Sequence, residues 1–175
     1  MKTLTKSILL VAALGLSACT NPDRFADSGS AGGVGAGAGT GFDSGAAGGV
    51  NDPRSVAYFQ QTVGDRVLFA VDQSTLGDTA RGTLEGQAQW LLTNTDYSVI
   101  IEGHADEQGT REYNLALGAR RANAVEEYLV SRGVSPARVR VVSYGKERPI
   151  EICSDETCYA KNRRAVTVVT AGLSS

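Results

Sequence analysis

From Ser28 to Val50 the chain is almost wholly glycine, alanine, serine and threonine, interrupted only by Val34, Phe42 and Asp43. Such a stretch has too little apolar surface to offset the entropy of ordering it. It carries no regular repeat of the kind that would make it a glycine-rich structural element. It reads as a flexible linker that divides the 175 residues into a short leader and a C-terminal part holding whatever core the protein has. Taken from Thr20 to Asp52, this linker has a typical end-to-end distance of about 25 to 35 Å and reaches about 110 Å when fully stretched. The chain beyond Asp52 has the length of one compact domain.

The leader sets the compartment. Lys2 and Lys6 precede an apolar run from Ile8 to Leu16, which falls short of the roughly 20 residues a membrane-spanning helix needs and has the layout of a secretory signal. Leu16-Ser17-Ala18-Cys19 closes it, and a cysteine directly after the cut resembles the bacterial lipobox. The alternative is an ordinary signal with an incidental cysteine. The lipobox resemblance implies a signal peptide over 1–18, a mature chain beginning at an acylated Cys19, and a lipidated tether over 19–52. Acyl chains contribute about 0.8 kcal/mol per buried methylene, so several of them hold a protein on a membrane almost permanently. Thr20 and Asn21 follow Cys19 where an aspartate would imply retention at the inner membrane, so the expected address is the periplasmic face of the outer membrane.

A formal net charge of −2 lacks the basic excess of a nucleic-acid binder, and that class is set aside. With Cys19 assigned to lipid, Cys153 and Cys158 remain, and in an oxidising compartment their spacing fits a small disulfide loop. Two cysteines and the single histidine, His104, are too few for a four-coordinate structural zinc site. No cofactor is expected beyond the covalent lipid.

Past Asp52 strand and helix signals alternate. Val67 to Val71 is an apolar run of strand length. Thr79 to Leu92 places Leu84, Ala88, Leu91 and Leu92 at helical spacing, with Asp78 positioned to cap its start. Ser98 to His104 predicts a second strand, and the strand-helix-strand order implies a right-handed crossover between parallel strands. Glu112 to Arg132 predicts a long helix capped by Thr110 and stopped by Gly133. Val139 to Tyr144 and Ala165 to Thr170 predict two more strands, with a short helical turn over 158–162 between them. The expected fold is an α/β two-layer sandwich: a mixed four-stranded sheet in β-α-β-α-β-β order, helices on one face, occupying 53–175.

The long helix carries the sharpest local signal. Leu117, Val125, Tyr128 and Leu129 share one stripe, and Arg121 stands in the middle of it. Desolvating a guanidinium costs several kcal/mol unless an anion pairs with it. Asp106, in the loop leading into this helix, is the nearest candidate. Two readings remain open: a structural Asp106–Arg121 salt bridge that binds nothing, or a site with one anion and one cation that takes a zwitterion such as a free amino-acid end, with Thr110 and Asn114 as neutral partners.

The stretch GHADEQGTREYNLALGARRANAVEEYL, followed by VVSYGKERP and CYAKNRRAV, resembles the OmpA-like C-terminal domain family and, within it, the peptidoglycan-associated lipoproteins. The resemblance runs from near Val67 to Val169. It implies noncovalent binding of the peptidoglycan stem peptide through diaminopimelate, whose free end carries an ammonium and a carboxylate. In the family Asp106 takes the ammonium and Arg121 the carboxylate. Further contacts carry over onto Thr110, Tyr113, Asn114 and Leu117, then onto Glu107, Gln108 and Asp72. Val71 stands where the family has a second phenylalanine, thinning one wall of the pocket. Arg163 and Arg164 match a motif whose role is read as mainly structural. The resemblance also implies a tether between outer membrane and wall in the Tol-Pal system, with TolB and other Tol proteins as partners.

A cell-wall enzyme with His104, Asp106 and Glu107 as an acid/base or metal cluster is the competing class. No serine or cysteine sits beside a histidine in a catalytic pattern, and His104 reads as a satisfied residue at a strand end. A non-enzymatic binding module is therefore expected.

Overall fold

The computed structural model describes residues 48–152 and 154–171. The signal sequence, Cys19 and the tether as far as Ala47 lie outside the described residues, as does Cys153. Residues 48–52 form turns, with Ser55 Oγ donating to the Gly49 carbonyl at 2.7 Å.

An unexpected helical segment opens the domain. Helix α1, Val56–Tyr58, is capped by the Ser55 hydroxyl and continues as a π-helical stretch, Phe59–Gly64, which seats the fully buried Phe59 ring 4.8 Å from Trp90. Strand β1, Arg66–Leu68, is shorter than the apolar run predicts. After one further ladder bond, Phe69 N–H to the Arg163 carbonyl, the chain leaves the sheet and turns at Asp72, the one described non-glycine residue at positive φ (57°). Helix α2, Asp78–Thr93, starts at Gly77 with no side-chain cap. Asp78 is its first helical residue, favourably placed against the helix dipole but not the predicted cap.

Strand β2, Tyr97–His104, leads through a loop to α3, Arg111–Ser131, which Thr110 caps through its hydroxyl. Gly133, at φ 100°, ends that helix as predicted. Then come β3, Val139–Gly145, α4, Glu156–Asn162, and β4, Arg164–Ala171. The helix between β3 and β4 starts earlier than the predicted turn because Asp155 caps it through Cys158 N–H.

The sheet order is β1-β4-β2-β3, with β4 antiparallel to both neighbours and β2 parallel to β3. Strands β1 and β2 therefore run the same way, as the crossover implies, but β4 lies between them. Leu117, Arg121, Val125 and Leu129 are buried along α3, and Tyr128 is half-buried at the edge of their stripe.

One close approach fixes the register of α3 on β2. A Cβ on Gly103 would sit 1.8 Å from the Gly118 carbonyl oxygen, and one on Gly118 would sit 2.4 Å from Ser143 Oγ. Backbone meets backbone there, and the loop between β2 and α3 is held tightly over the sheet end. The chain enters at the other end: Trp90 Nε1 donates to the Pro53 carbonyl at 2.7 Å and the Tyr97 hydroxyl to the Arg54 carbonyl. Strand β2 separates these two poles by about 25 Å.

Candidate functional site

The loop from β2 to α3 presents Asp106 with 8 % of its surface exposed. Its partner is not Arg121. Arg163 Nη1 donates to Asp106 Oδ2 at 3.1 Å, and the Gln108 N–H donates to Oδ1 at 3.2 Å. Arg163 also donates to the Phe69 carbonyl and grips Glu156 through both terminal nitrogens. Desolvation works against this cation, but the hydrogen bonds to Glu156 and Asp106 outweigh it and hold the guanidinium above its ordinary range.

The direct Asp106–Arg121 salt bridge, one of the two readings the sequence leaves open, is thus absent among the described contacts, and the reason is chemical. Arg121 is fully buried, and its fork is satisfied by carbonyl oxygens: Nε donates to Gln73 at 2.8 Å, Nη1 to His104 at 2.8 Å and Nη2 to Ala70 at 3.1 Å. Its guanidinium lies 5.3 Å from the centre of the Phe69 ring. Burial pushes its pKa down to about 10, with Asp106 opposing the shift, so it stays charged at neutral pH. A guanidinium needs acceptors; it does not need a carboxylate.

A cavity of about 270 Å³ opens beside Asp106. Asp72, Asp106, Gln108, Tyr113, Asn114 and Leu117 line it, together with Val71 and Gly109. Val71 therefore forms part of the wall that the family resemblance predicts to be thinner. Arg121, Thr110 and Glu107 are not in the lining. Thr110 caps α3, and Glu107 accepts from Asn162 Nδ2 at 3.2 Å while its other oxygen is buried without a protein partner. Asn114 braces the loop by donating to the Gln108 carbonyl at 2.7 Å, and Lys146 Nζ does the same at the Gly109 carbonyl. Across the mouth the Tyr113 hydroxyl donates to Asp72 Oδ1. The cavity thus presents two carboxylates and no cation, where the sequence predicts one of each. That polarity suits an ammonium group.

Arg163, which the sequence reading takes as mainly structural, and Glu156, which it does not single out, are members of this constellation. A signal for the first exists. Arg163 closes α4 and Arg164 opens β4, and both are buried, so two adjacent cations in the sequence each need acceptors inside the domain. Nothing comparable marks Glu156, which is exposed on α4. Cys158 on the same helix is buried and disulfide-bonded, while Cys153 lies outside the described residues.

His104 departs from expectation. It is 1 % exposed, yet neither ring nitrogen has a hydrogen-bond partner among the described residues. Burial first, then Arg164 and Arg148, lower its pKa to about 4. Its ring rests 5.6 Å from that of Tyr144, and its nearest carboxylate, Glu102, is 3.7 Å away. The acid/base pairing of His104 with Asp106 that an enzyme would need is not made. Among the described residues no group of three or more histidine, cysteine, aspartate or glutamate side chains could hold a metal ion.

Comparison with known proteins shows the family and the fold. Residues 68–163 match the model of the OmpA family. The peptidoglycan-associated lipoprotein of Rhizobium meliloti is 46 % identical over 172 residues, covering 97 % of this chain and 91 % of that one. The crystal structure of the peptidoglycan-associated lipoprotein from Burkholderia pseudomallei superposes with a TM-score of 0.62 at 39 % identity, over 69 % of this chain and 98 % of that one. The C-terminal domain of Helicobacter pylori MotB, at 21 % identity and a TM-score of 0.58, shares the fold over 62 % of this chain and 86 % of its own.

Proposed function

The chain belongs to the OmpA family and, within it, to the peptidoglycan-associated lipoproteins, and from that premise we propose that it is an outer-membrane lipoprotein that binds peptidoglycan without catalysing any reaction. The ligand group is the diaminopimelate end of a stem peptide. The observation that carries this reading is the cavity at Asp106, lined by two carboxylates of which one is already paired with Arg163 and both keep acceptor positions open. Gln108 N–H and Arg163 occupy one acceptor position on each Asp106 oxygen, leaving about two for an ammonium. Asp72 flanks the same space, and Tyr113, Asn114 and Leu117 supply its polar and apolar walls.

Arg121 answers the ligand carboxylate in a second step. Three of its N–H groups are committed to carbonyls, two of which, Ala70 and Gln73, belong to the loop after β1. Contact with a carboxylate requires that loop to lift, after which a charged fork lies beneath it. The two poles support a tethering role: the chain enters beside Trp90 and Tyr97, and the cavity lies at the far end of β2. With acyl chains on Cys19 and a flexible linker behind it, the domain reaches from the outer membrane to the wall. TolB and the other Tol proteins are the partners proposed on the family resemblance.

Cosedimentation of the full chain with purified peptidoglycan tests the reading. Asp106→Ala should leave the protein in the supernatant while its circular dichroism stays that of the wild type; pelleting at the wild-type level would overturn the assignment of the site.

A further inference from the structure

Arg163 stands between two carboxylates, and only one of them belongs to the cavity. Asp106 carries one negative charge, Arg163 one positive and Glu156 a second negative, so the triad bears a net charge of −1. Removing Glu156 from this chain of contacts would leave a neutral Asp106–Arg163 pair, whose pull on a cation in the cavity is weaker. We propose that Glu156, acting through Arg163, is a positioning residue for the ligand ammonium: it draws part of the guanidinium's charge away from Asp106 and keeps the triad one cation short. This rests on the reading of the cavity as an ammonium site.

The geometry separates the two carboxylates by role. The Asp106 side chain is 10 % exposed and lines the cavity, whereas that of Glu156 is 66 % exposed and lies outside the lining. Arg163, 5 % exposed, bridges them and is itself oriented by the Phe69 carbonyl. Glu156 is presented by the first residue of α4, a helix capped by Asp155 and tied down by the disulfide at Cys158 two residues on. The guanidinium fork fixes the angle between its anions, which a lysine at 163 would not. An ammonium seated on Asp106 completes a neutral quartet. Charges one guanidinium apart interact through partly exposed surroundings, so the influence of Glu156 on affinity is about three- to tenfold at low salt and fades as salt screens it.

The test is titration of the full chain at low ionic strength with two synthetic stem peptides: one with the free diaminopimelate ammonium, the other with that amine acetylated. The wild type should bind the first and discriminate against the second. Glu156→Gln should weaken binding of the free peptide about three- to tenfold, and Glu156→Lys should weaken it more. Glu156→Asp should restore most of the affinity, and 0.5 M salt should bring wild type and Glu156→Gln together. Arg163→Lys should also bind weakly despite its retained charge. Because Glu156 is exposed, Glu156→Gln and Glu156→Asp should melt close to the wild type, whereas Glu156→Lys, which sets a second cation against the buried Arg163, should melt lower. Wild-type affinity in both Glu156→Gln and Glu156→Lys, with discrimination against the acetylated peptide intact, overturns the role of Glu156 and leaves the ammonium site standing. A wild type that binds both peptides equally overturns the ammonium site and this inference together.

Discussion

The two poles of the domain each hold a guanidinium that binds three backbone carbonyls, yet among the described residues only one pole also holds an ionic constellation. At the entry pole Arg138 donates to Tyr97, Leu91 and Asn94, closing the end of α2 onto the start of β2. At the far pole Arg121 does the equivalent for the loop after β1 and the end of β2. Carbonyl cages fix backbone geometry and leave no charge to exchange. Beside Arg121, and not at the other pole, lie Asp106, Arg163 and Glu156, where one more cation can be accepted. The difference is one of availability: an arginine wrapped in carbonyls can meet a ligand only after its loop lifts, whereas an arginine held by carboxylates leaves a place where a cation can join at once.

The largest effect should come from breaking the two cages. Arg121→Met keeps most of the side-chain volume but strands three carbonyls, one of them at the end of β2, and should lower the free energy of unfolding by about 3 to 5 kcal/mol. Arg138 is half-buried, so water can replace its donors; Arg138→Met should cost about 1 to 2 kcal/mol. Urea titration of both variants gives the comparison directly. Equal losses would mean that burial does not distinguish the cages.

Much of this architecture was legible from periodicity. The stripe through Leu117, Val125 and Leu129, the Thr110 cap and the Gly133 stop are local properties of α3, and the structure reproduces them. The insertion of β4 between β1 and β2 is a long-range pairing that leaves no local mark, and the helical segment over 56–64 is held by packing of Phe59 on Trp90. Gly103 and Gly118 stand inside a strand and a helix, where glycine is disfavoured, and that anomaly signals their backbone contact. The lining of the cavity was legible, mainly through the family motif, but the pairing of its charges was not. Six of the nine binding residues expected from the sequence line the cavity. The partner of Asp106 differs from the expected one because a buried guanidinium does not require a carboxylate, and carbonyls serve it as well.

The ionic pole should also be the pH-sensitive one. His104 has an ordinary pKa of 6.5 and a folded value of about 4, so between those limits the unfolded chain binds a proton that the native protein refuses. Stability attributable to this residue is full above pH 6.5 and is lost as pH falls toward 4, by up to about 3 kcal/mol. His104→Phe should flatten that part of the stability profile and be neutral or better in stability at pH 7, since both ring nitrogens lack partners. Thermal melts of both proteins from pH 4 to 7.5 measure it. Parallel profiles would place the acid sensitivity elsewhere.

The smallest effect sharpens the contrast at the level of single hydroxyls. Each pole has an exposed tyrosine contact between distant segments: Tyr97 donates to the Arg54 carbonyl, and Tyr113 to the Asp72 carboxylate across the cavity mouth. Removing either hydroxyl should change stability by less than about 1 kcal/mol, because both contacts are open to water. Their effects on ligand binding should differ. Tyr97→Phe touches only architecture and should bind the free-ammonium stem peptide as the wild type does. Tyr113→Phe keeps the ring against the cavity while releasing Asp72, which sits at positive φ and gains an open acceptor for the incoming cation. Affinity should rise about two- to threefold, a change well within the strength of one exposed hydrogen bond. A loss of affinity in Tyr113→Phe would show that the hydroxyl itself meets the ligand, and that Asp72 is held for binding and not against it.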